Sequence, residues 1–141
     1  MNPQSFPEIP PGWQKVLRIE VEKPYFQEIV RKLEVTLHTP ATSNIFKALE
    51  LTPFEDVRVV IVGQDPYTNG EATGLAFAVG DGFPVSGSLK TILKRVEASV
   101  GPLKSNRTDL IGWANQGVLL LNSILTAAPG PRQAMSHKDW G

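Results

Sequence analysis

One apolar run restricts the fold more than any other part of the chain. Val57-Arg58-Val59-Val60-Ile61-Val62 is dense in β-branched residues and stops abruptly at Gly63. Such a run reads as a buried parallel strand. It is followed at once by Gly63-Gln64-Asp65-Pro66-Tyr67. In open α/β sheets ligands bind just beyond the carboxyl ends of strands. An acid and an aromatic, held by a proline, therefore stand where chemistry is expected.

A second buried strand is expected at Gly117-Val118-Leu119-Leu120-Leu121-Asn122, again with a polar residue at its tip. Leu75-Ala76-Phe77-Ala78-Val79 reads as a further short extended segment. Helical patterns separate these runs. Pro24 suits a first helical position, and Phe26, Ile29, Val30 and Leu33 follow at helical spacing, with a stop expected before Thr39-Pro40. Thr42 or Ser43 is expected to cap a short helix through Ile45, Phe46 and Leu49. Ser88 is expected to cap a longer one whose apolar face is Leu89, Ile92, Leu93, Val96 and Val100, ended by Gly101-Pro102. Thr108 or Asp109 opens a short helix through Ile111, Trp113 and Ala114. Residues 1–12, with Pro3, Pro7, Pro10 and Pro11, read as an extended arm. Alternating strand and helix indicate a single α/β domain over 1–141, three-layered around a short parallel sheet. Parallel sheets usually have more strands than the two strong ones visible here. The sheet therefore reads as unfinished, with one strand edge unpaired.

The balance of 14 basic and 14 acidic residues gives no field that would draw the chain to nucleic acid or membrane. It still allows a DNA enzyme that grips phosphates with backbone amides and hydroxyls. The absence of cysteine removes disulfides, thiolate metal sites and thiol nucleophiles. Two histidines are too few for a histidine-rich metal cluster. The N-terminus lacks the basic and apolar regions of a secretory signal, and no run approaches the ~20 apolar residues of a membrane span. A soluble cytoplasmic protein without metal or cofactor is expected. Neither Gly-x-Gly-x-x-Gly nor a Walker-type phosphate loop is present, which weakens a mononucleotide-binding reading.

Several motifs in order resemble the family 1 uracil-DNA glycosylases, from about Pro24 to Gly141. They are Pro24-Tyr25-Phe26, Gly63-Gln64-Asp65-Pro66-Tyr67, Gly74-Leu75-Ala76-Phe77-Ala78-Val79, Ser88-Leu89-Lys90, Trp113-Ala114-Asn115-Gln116-Gly117 with the strand that follows, Leu125-Thr126 and Ser136-His137. The resemblance implies a domain that binds uracil flipped out of DNA and hydrolyses its glycosidic bond. It implies that Asp65 orients the attacking water and stabilises the cationic sugar. An aspartate after a strand more often just caps a loop; the surrounding motif reverses that order. Asn122 carries a donor and an acceptor, which match O4 and N3–H of uracil and mismatch cytosine. Tyr67 corresponds to the residue packed against uracil C5, which excludes the thymine methyl. Phe77 corresponds to the aromatic stacked on the base, and Gln64 to a residue making polar contacts with it. Ser88 corresponds to a serine on a DNA phosphate, and His137 to a histidine near the pocket. Partners implied are uracil-containing DNA and proteinaceous glycosylase inhibitors; a preference for single-stranded uracil is expected because no apolar wedge segment is matched.

The sequence departs from the family pattern in three places. Thr68 stands where a histidine usually follows the motif tyrosine, which affects water placement. Pro84-Val85-Ser86-Gly87-Ser88 replaces a more proline-rich loop, and its glycine loosens the expected phosphate clamp. No residue matches the His-Pro-Ser-Pro-Leu segment that carries a catalytic histidine and leads into an apolar wedge; the histidines present are His38 and His137. Relative to the family fold the chain reads as truncated, either a fragment or a natural short form.

Overall fold

The computed structural model describes residues 5–141. Its regular elements are α1 (Pro11–Val21), α2 (Pro24–Val35), α3 (Lys47–Leu51), β1 (Val59–Gly63), α4 (Gly87–Val100), α5 (Ile111–Ala114) and β2 (Val118–Asn122). β1 and β2 pair in parallel, with Val59 opposite Val118 and Gly63 opposite Asn122. The two strands thus end together, and the candidate residues of both stand at one end of the sheet. α3 and α5 pack against β2, and α1 packs on α2 and α3. This is the expected α/β fold with a short parallel sheet.

α2 starts at the proline the sequence marks and buries Phe26, Ile29 and Leu33. α1 departs from the expected arm. Residues 5–10 have no regular structure, a helix begins at Pro11, and residues 1–4 lie outside the described part. Trp13, Leu17 and Val21 recur at four-residue spacing after a proline at the first turn, a helix signature masked by the proline-rich lead-in. Trp13 is buried, and its Nε1–H donates to the Thr52 carbonyl at 2.9 Å. The arm itself is anchored: Phe6 meets Phe26 and Phe46 edge-on, with centroids 6.0 and 5.5 Å apart.

Four other expectations change. Thr42 and Ser43 cap no α-helix; they lie in a 3-10 turn, Thr42–Asn44, and α3 follows without a side-chain cap. The Leu75–Val79 segment is not a strand. Gly74 at φ +91° and Phe77 at φ +64° break the extension, and Ala78 N–H closes a turn on the Leu75 carbonyl at 3.3 Å. Only Ala76 N–H reaches the sheet, donating to Leu120 O at 3.0 Å. Ser86, not Ser88, caps α4: its Oγ accepts the Leu89 N–H at 3.2 Å. A cap accepts from the second or third helical amide, and with Gly87 as the first helical residue Leu89 is the third. Finally, β1 is not buried: Val59, Val60 and Val62 are 50%, 54% and 63% exposed. No element of the described residues covers its outer side, whereas Leu119 and Leu120 of β2 are buried.

Candidate active site

The carboxyl ends of β1 and β2 open onto a cleft lined by Asp65, Pro66, Tyr67, Ala72, Leu75, Phe77 and Asn122, among others. Four of the site residues read from the sequence, Asp65, Tyr67, Phe77 and Asn122, are therefore brought together. They come from three segments: the loop after β1, the turn after Gly74, and the tip of β2. The cleft is narrow, with about 10 Å³ of free volume, roughly what one water needs.

Local sequence explains the close approach of the two strand tips. A Cβ on Gly63 would lie 2.2 Å from Asn122 Oδ1 and 2.9 Å from Ala76 Cβ. Glycine at this position lets the asparagine amide lie across the end of β1. Phe77 takes a positive φ of 64°, which is rare for a bulky residue. Such strain concentrates at functional sites, where surrounding contacts hold it in place.

Asp65 is tied to the loop after β2. The Met135 N–H donates to Asp65 Oδ2 at 2.5 Å, and the Gly130 N–H donates to the Thr68 carbonyl at 2.7 Å. These bonds clamp the segment 130–135 over the acidic loop. Tyr67 has a polar partner that the sequence reading missed: its hydroxyl lies 2.6 Å from Ser86 Oγ. Ser86 thus joins the cleft to the N-terminus of α4 while also capping it. The signal was present in its spacing to Leu89, but Ser88 competed for the same role.

Three expected site residues stand apart. Gln64 does not line the cleft; its carbonyl accepts the Ile124 N–H at 2.9 Å and the Ser123 hydroxyl at 3.0 Å. Ser88 is exposed on the first turn of α4. His137 is buried away from the cleft, beside Ile29, Lys32 and Leu33. Its Nδ1 lies 2.9 Å from Thr126 Oγ1, which also accepts the Trp140 Nε1–H at 2.8 Å. His137 therefore fastens the end of the 129–136 loop and reaches the acid only through it. Among the described residues no group of acidic, histidine and cysteine side chains is arranged to hold a metal, and no helix is long and apolar enough to cross a membrane.

Burial, and secondarily the charges of Lys32 and His38, hold the His137 imidazole below its usual value of 6.5. Such a base binds fewer protons folded than unfolded, so stability is complete above the unfolded value and falls as pH drops below it. Thermal unfolding is expected at a lower temperature near pH 5 than near pH 7.5. His137→Gln should flatten that difference. An identical pH dependence in the variant would remove His137 from the effect.

Residues 50–139 match the family model described as the uracil DNA glycosylase superfamily. The chain belongs to the uracil-DNA glycosylase superfamily. The uracil-DNA glycosylase of Enterococcus faecalis is 47% identical over 135 residues, covering 92% of this chain and 59% of that protein. The Bacillus subtilis uracil-DNA glycosylase is 44% identical over 136 residues, again with 92% and 59% coverage. The chain thus spans about 59% of the length of these relatives. The crystal structure of mimivirus uracil-DNA glycosylase superposes with a TM-score of 0.81 at 25% identity, over 92% of this chain and 51% of that one. A Y322L variant of the mimivirus glycosylase, solved in complex with UGI, superposes with a TM-score of 0.78 at 25% identity, over 92% and 52%.

Proposed function

We propose that this glycosylase-superfamily chain carries the uracil-reading and water-directing part of a uracil-DNA glycosylase, acting in base excision repair in the cytoplasm. The observation that carries the reading is the meeting of Asp65, Tyr67, Phe77 and Asn122 in one cleft at the strand ends. In this reading the Asn122 amide donates to uracil O4 and accepts from N3–H. Phe77 stacks on the base, and Tyr67, braced by Ser86, fills the space a thymine methyl would need. Gln64, outside the cleft, holds the loop after β1 in place through its carbonyl, which accepts from Ile124 and Ser123. Asp65 orients a water toward the sugar C1′. The bond from C1′ to the base nitrogen breaks, its electron pair leaves with uracil, the water oxygen bonds to C1′, and Asp65 takes up the released proton. The carboxylate also faces the positive charge that develops on the sugar. No step needs a metal or cofactor.

DNA backbone contacts fall to the exposed start of α4. A helix N-terminus favours phosphate, and Ser88 adds a hydroxyl there. His137 supports the site by holding the loop whose Met135 amide meets Asp65. Partners in this reading are uracil-containing DNA and, by extension from the UGI complex of the mimivirus relative, proteinaceous inhibitors.

A second reading, binding without turnover, is favoured by one observation. Both histidines lie away from the cleft: His38 Nδ1 sits 2.9 Å from the Pro40 carbonyl, and His137 is paired with Thr126. Neither stands ready to stabilise a departing uracil anion, and losing such a stabiliser costs ~10²–10³ in rate. Excision is therefore expected to be weak. It should favour single-stranded or mismatched uracil over a U·A pair, because a paired base must also be extruded. With no net charge, binding should be weak at physiological salt. Single-turnover excision on the three substrates at fixed low salt, beside a binding titration, tests both readings. Equal rates on U·A duplex and single strands would contradict the extrusion argument. Binding without excision on any substrate would establish the second reading.

A further inference from the structure

The loop before α4 departs from the family pattern, and the departure makes a contact of its own. Pro84-Val85-Ser86-Gly87-Ser88 stands where a more proline-rich loop is usual. Its glycine is not a loose link, because Gly87 is already the first residue of α4. Ser86 is fastened to that helix twice. Its Oγ accepts the Leu89 N–H at 3.2 Å, and its carbonyl accepts the Lys90 N–H at 3.0 Å. The Leu89 side chain is fully buried, so the first turn of α4 is fixed to the core. On its other side the Ser86 hydroxyl lies 2.6 Å from the Tyr67 hydroxyl. A serine oxygen has two acceptor sites and one donor, so it holds the tyrosine and the Leu89 amide at once. A proline at this position has no hydroxyl and would supply neither side-chain bond.

We propose that Ser86 is a positioning residue for base selection: its hydroxyl locks the Tyr67 ring at the cleft, so that the ring does not yield to a methyl group on uracil C5. The inference rests on the role proposed above for Tyr67. Bulk alone does not exclude a methyl group. An overpacked site refuses an extra carbon only when its lining is unable to shift aside, and a tyrosine ring turns about its side-chain torsions unless its far end is tied. Tyr67 is tied at both ends. Its backbone follows Pro66, which is buried and has a φ fixed by its ring. Its hydroxyl ends on Ser86 and, through Ser86, on the buried first turn of α4. A proline-rich loop is stiff through its backbone. Here the same segment is stiffened through a side chain, and the stiffness passes to the residue that reads the base.

Equilibrium binding tests this without requiring turnover. The probes are a single-stranded oligonucleotide with one deoxyuridine made uncleavable by fluorine at C2′, and the same strand carrying the 5-methyl base. The unmodified chain is expected to prefer the uracil strand. Tyr67→Phe keeps the ring and the helix cap but removes the bond between the hydroxyls; Ser86→Ala removes the bond and the cap. Each should lower the preference by roughly three- to tenfold, the worth of one hydrogen bond, mainly by admitting the methylated base. The double variant should lose no more than either single one, because both changes cut the same link. Ser86→Thr retains a hydroxyl and should retain the preference. Equal binding of the two strands by the unmodified chain would overturn the uracil reading and this inference together. A clear preference that Tyr67→Phe leaves unchanged, or losses that add in the double variant, would overturn the inference alone. So would a Ser86→Ala chain that binds both strands more weakly by the same factor, which is what a helix cap without a role in selection would produce.

Discussion

Asp65→Asn is expected to lower single-turnover uracil excision by roughly 10²–10³ while leaving affinity for uracil-containing DNA near its starting value. The carboxylate opposes a positive charge that exists only as the glycosidic bond breaks. Its contribution therefore appears in the rate, not in ground-state binding. The substitution is selective on structural grounds. The asparagine amide oxygen still accepts the Met135 N–H now held at 2.5 Å, so the 130–135 loop keeps its place. What is lost is the negative charge and the ability to take a proton from water. Comparing excision rate and binding on single-stranded substrate for parent and variant separates these terms. An unchanged rate in an active preparation would take Asp65 out of the mechanism, and a parallel loss of affinity would make its role one of binding.

The lines of the fold that sequence carried best were those with one dominant local signal. β2 and α2 are examples: a continuous apolar run bounded by glycine, and a proline followed by Phe26, Ile29 and Leu33 at helical spacing. β1 showed its direction and its end but not its burial. Its apolarity suits a strand covered on both faces, and that cover depends on packing no local pattern records. The site was legible where a residue sits at a strand tip, as Asp65, Tyr67 and Asn122 do. Phe77 was found as a residue but misplaced in conformation, because a positive φ at a phenylalanine has no sequence mark when tertiary contacts impose it. The Ser86 pairing with Tyr67, the Met135 bond to Asp65 and the packing of His137 join residues 19, 70 and 11 positions apart. Composition and periodicity carry no information at such separations.

Gly74→Ala should be the most damaging single-methyl change tested in this fold, although glycine to alanine on a loop is often harmless. The residue has φ +91°, and a Cβ there would lie 2.1 Å from the Asn44 carbonyl oxygen and 2.7 Å from Lys47 Cβ. Neither neighbour gives easily, since one is backbone and the other is the rigid base of a helical side chain at the start of α3. Left-handed backbone costs a non-glycine residue about 1–2 kcal/mol, and overpacking adds about 1–3 kcal/mol. The expected loss is therefore roughly 2–5 kcal/mol, a large share of the ~5–15 kcal/mol that a domain has. Gly82→Ala supplies the control. Gly82 has a similar φ of +84°, yet nothing lies within 4 Å of its added Cβ, so only the conformational cost of about 1–2 kcal/mol applies. Urea denaturation of both variants, with unchanged slope, measures the difference. A clearly larger loss for Gly74→Ala would mean that the turn carrying Phe77 is pressed against the start of α3. Equal losses would mean that the two segments separate easily, and with them the wall of the cleft.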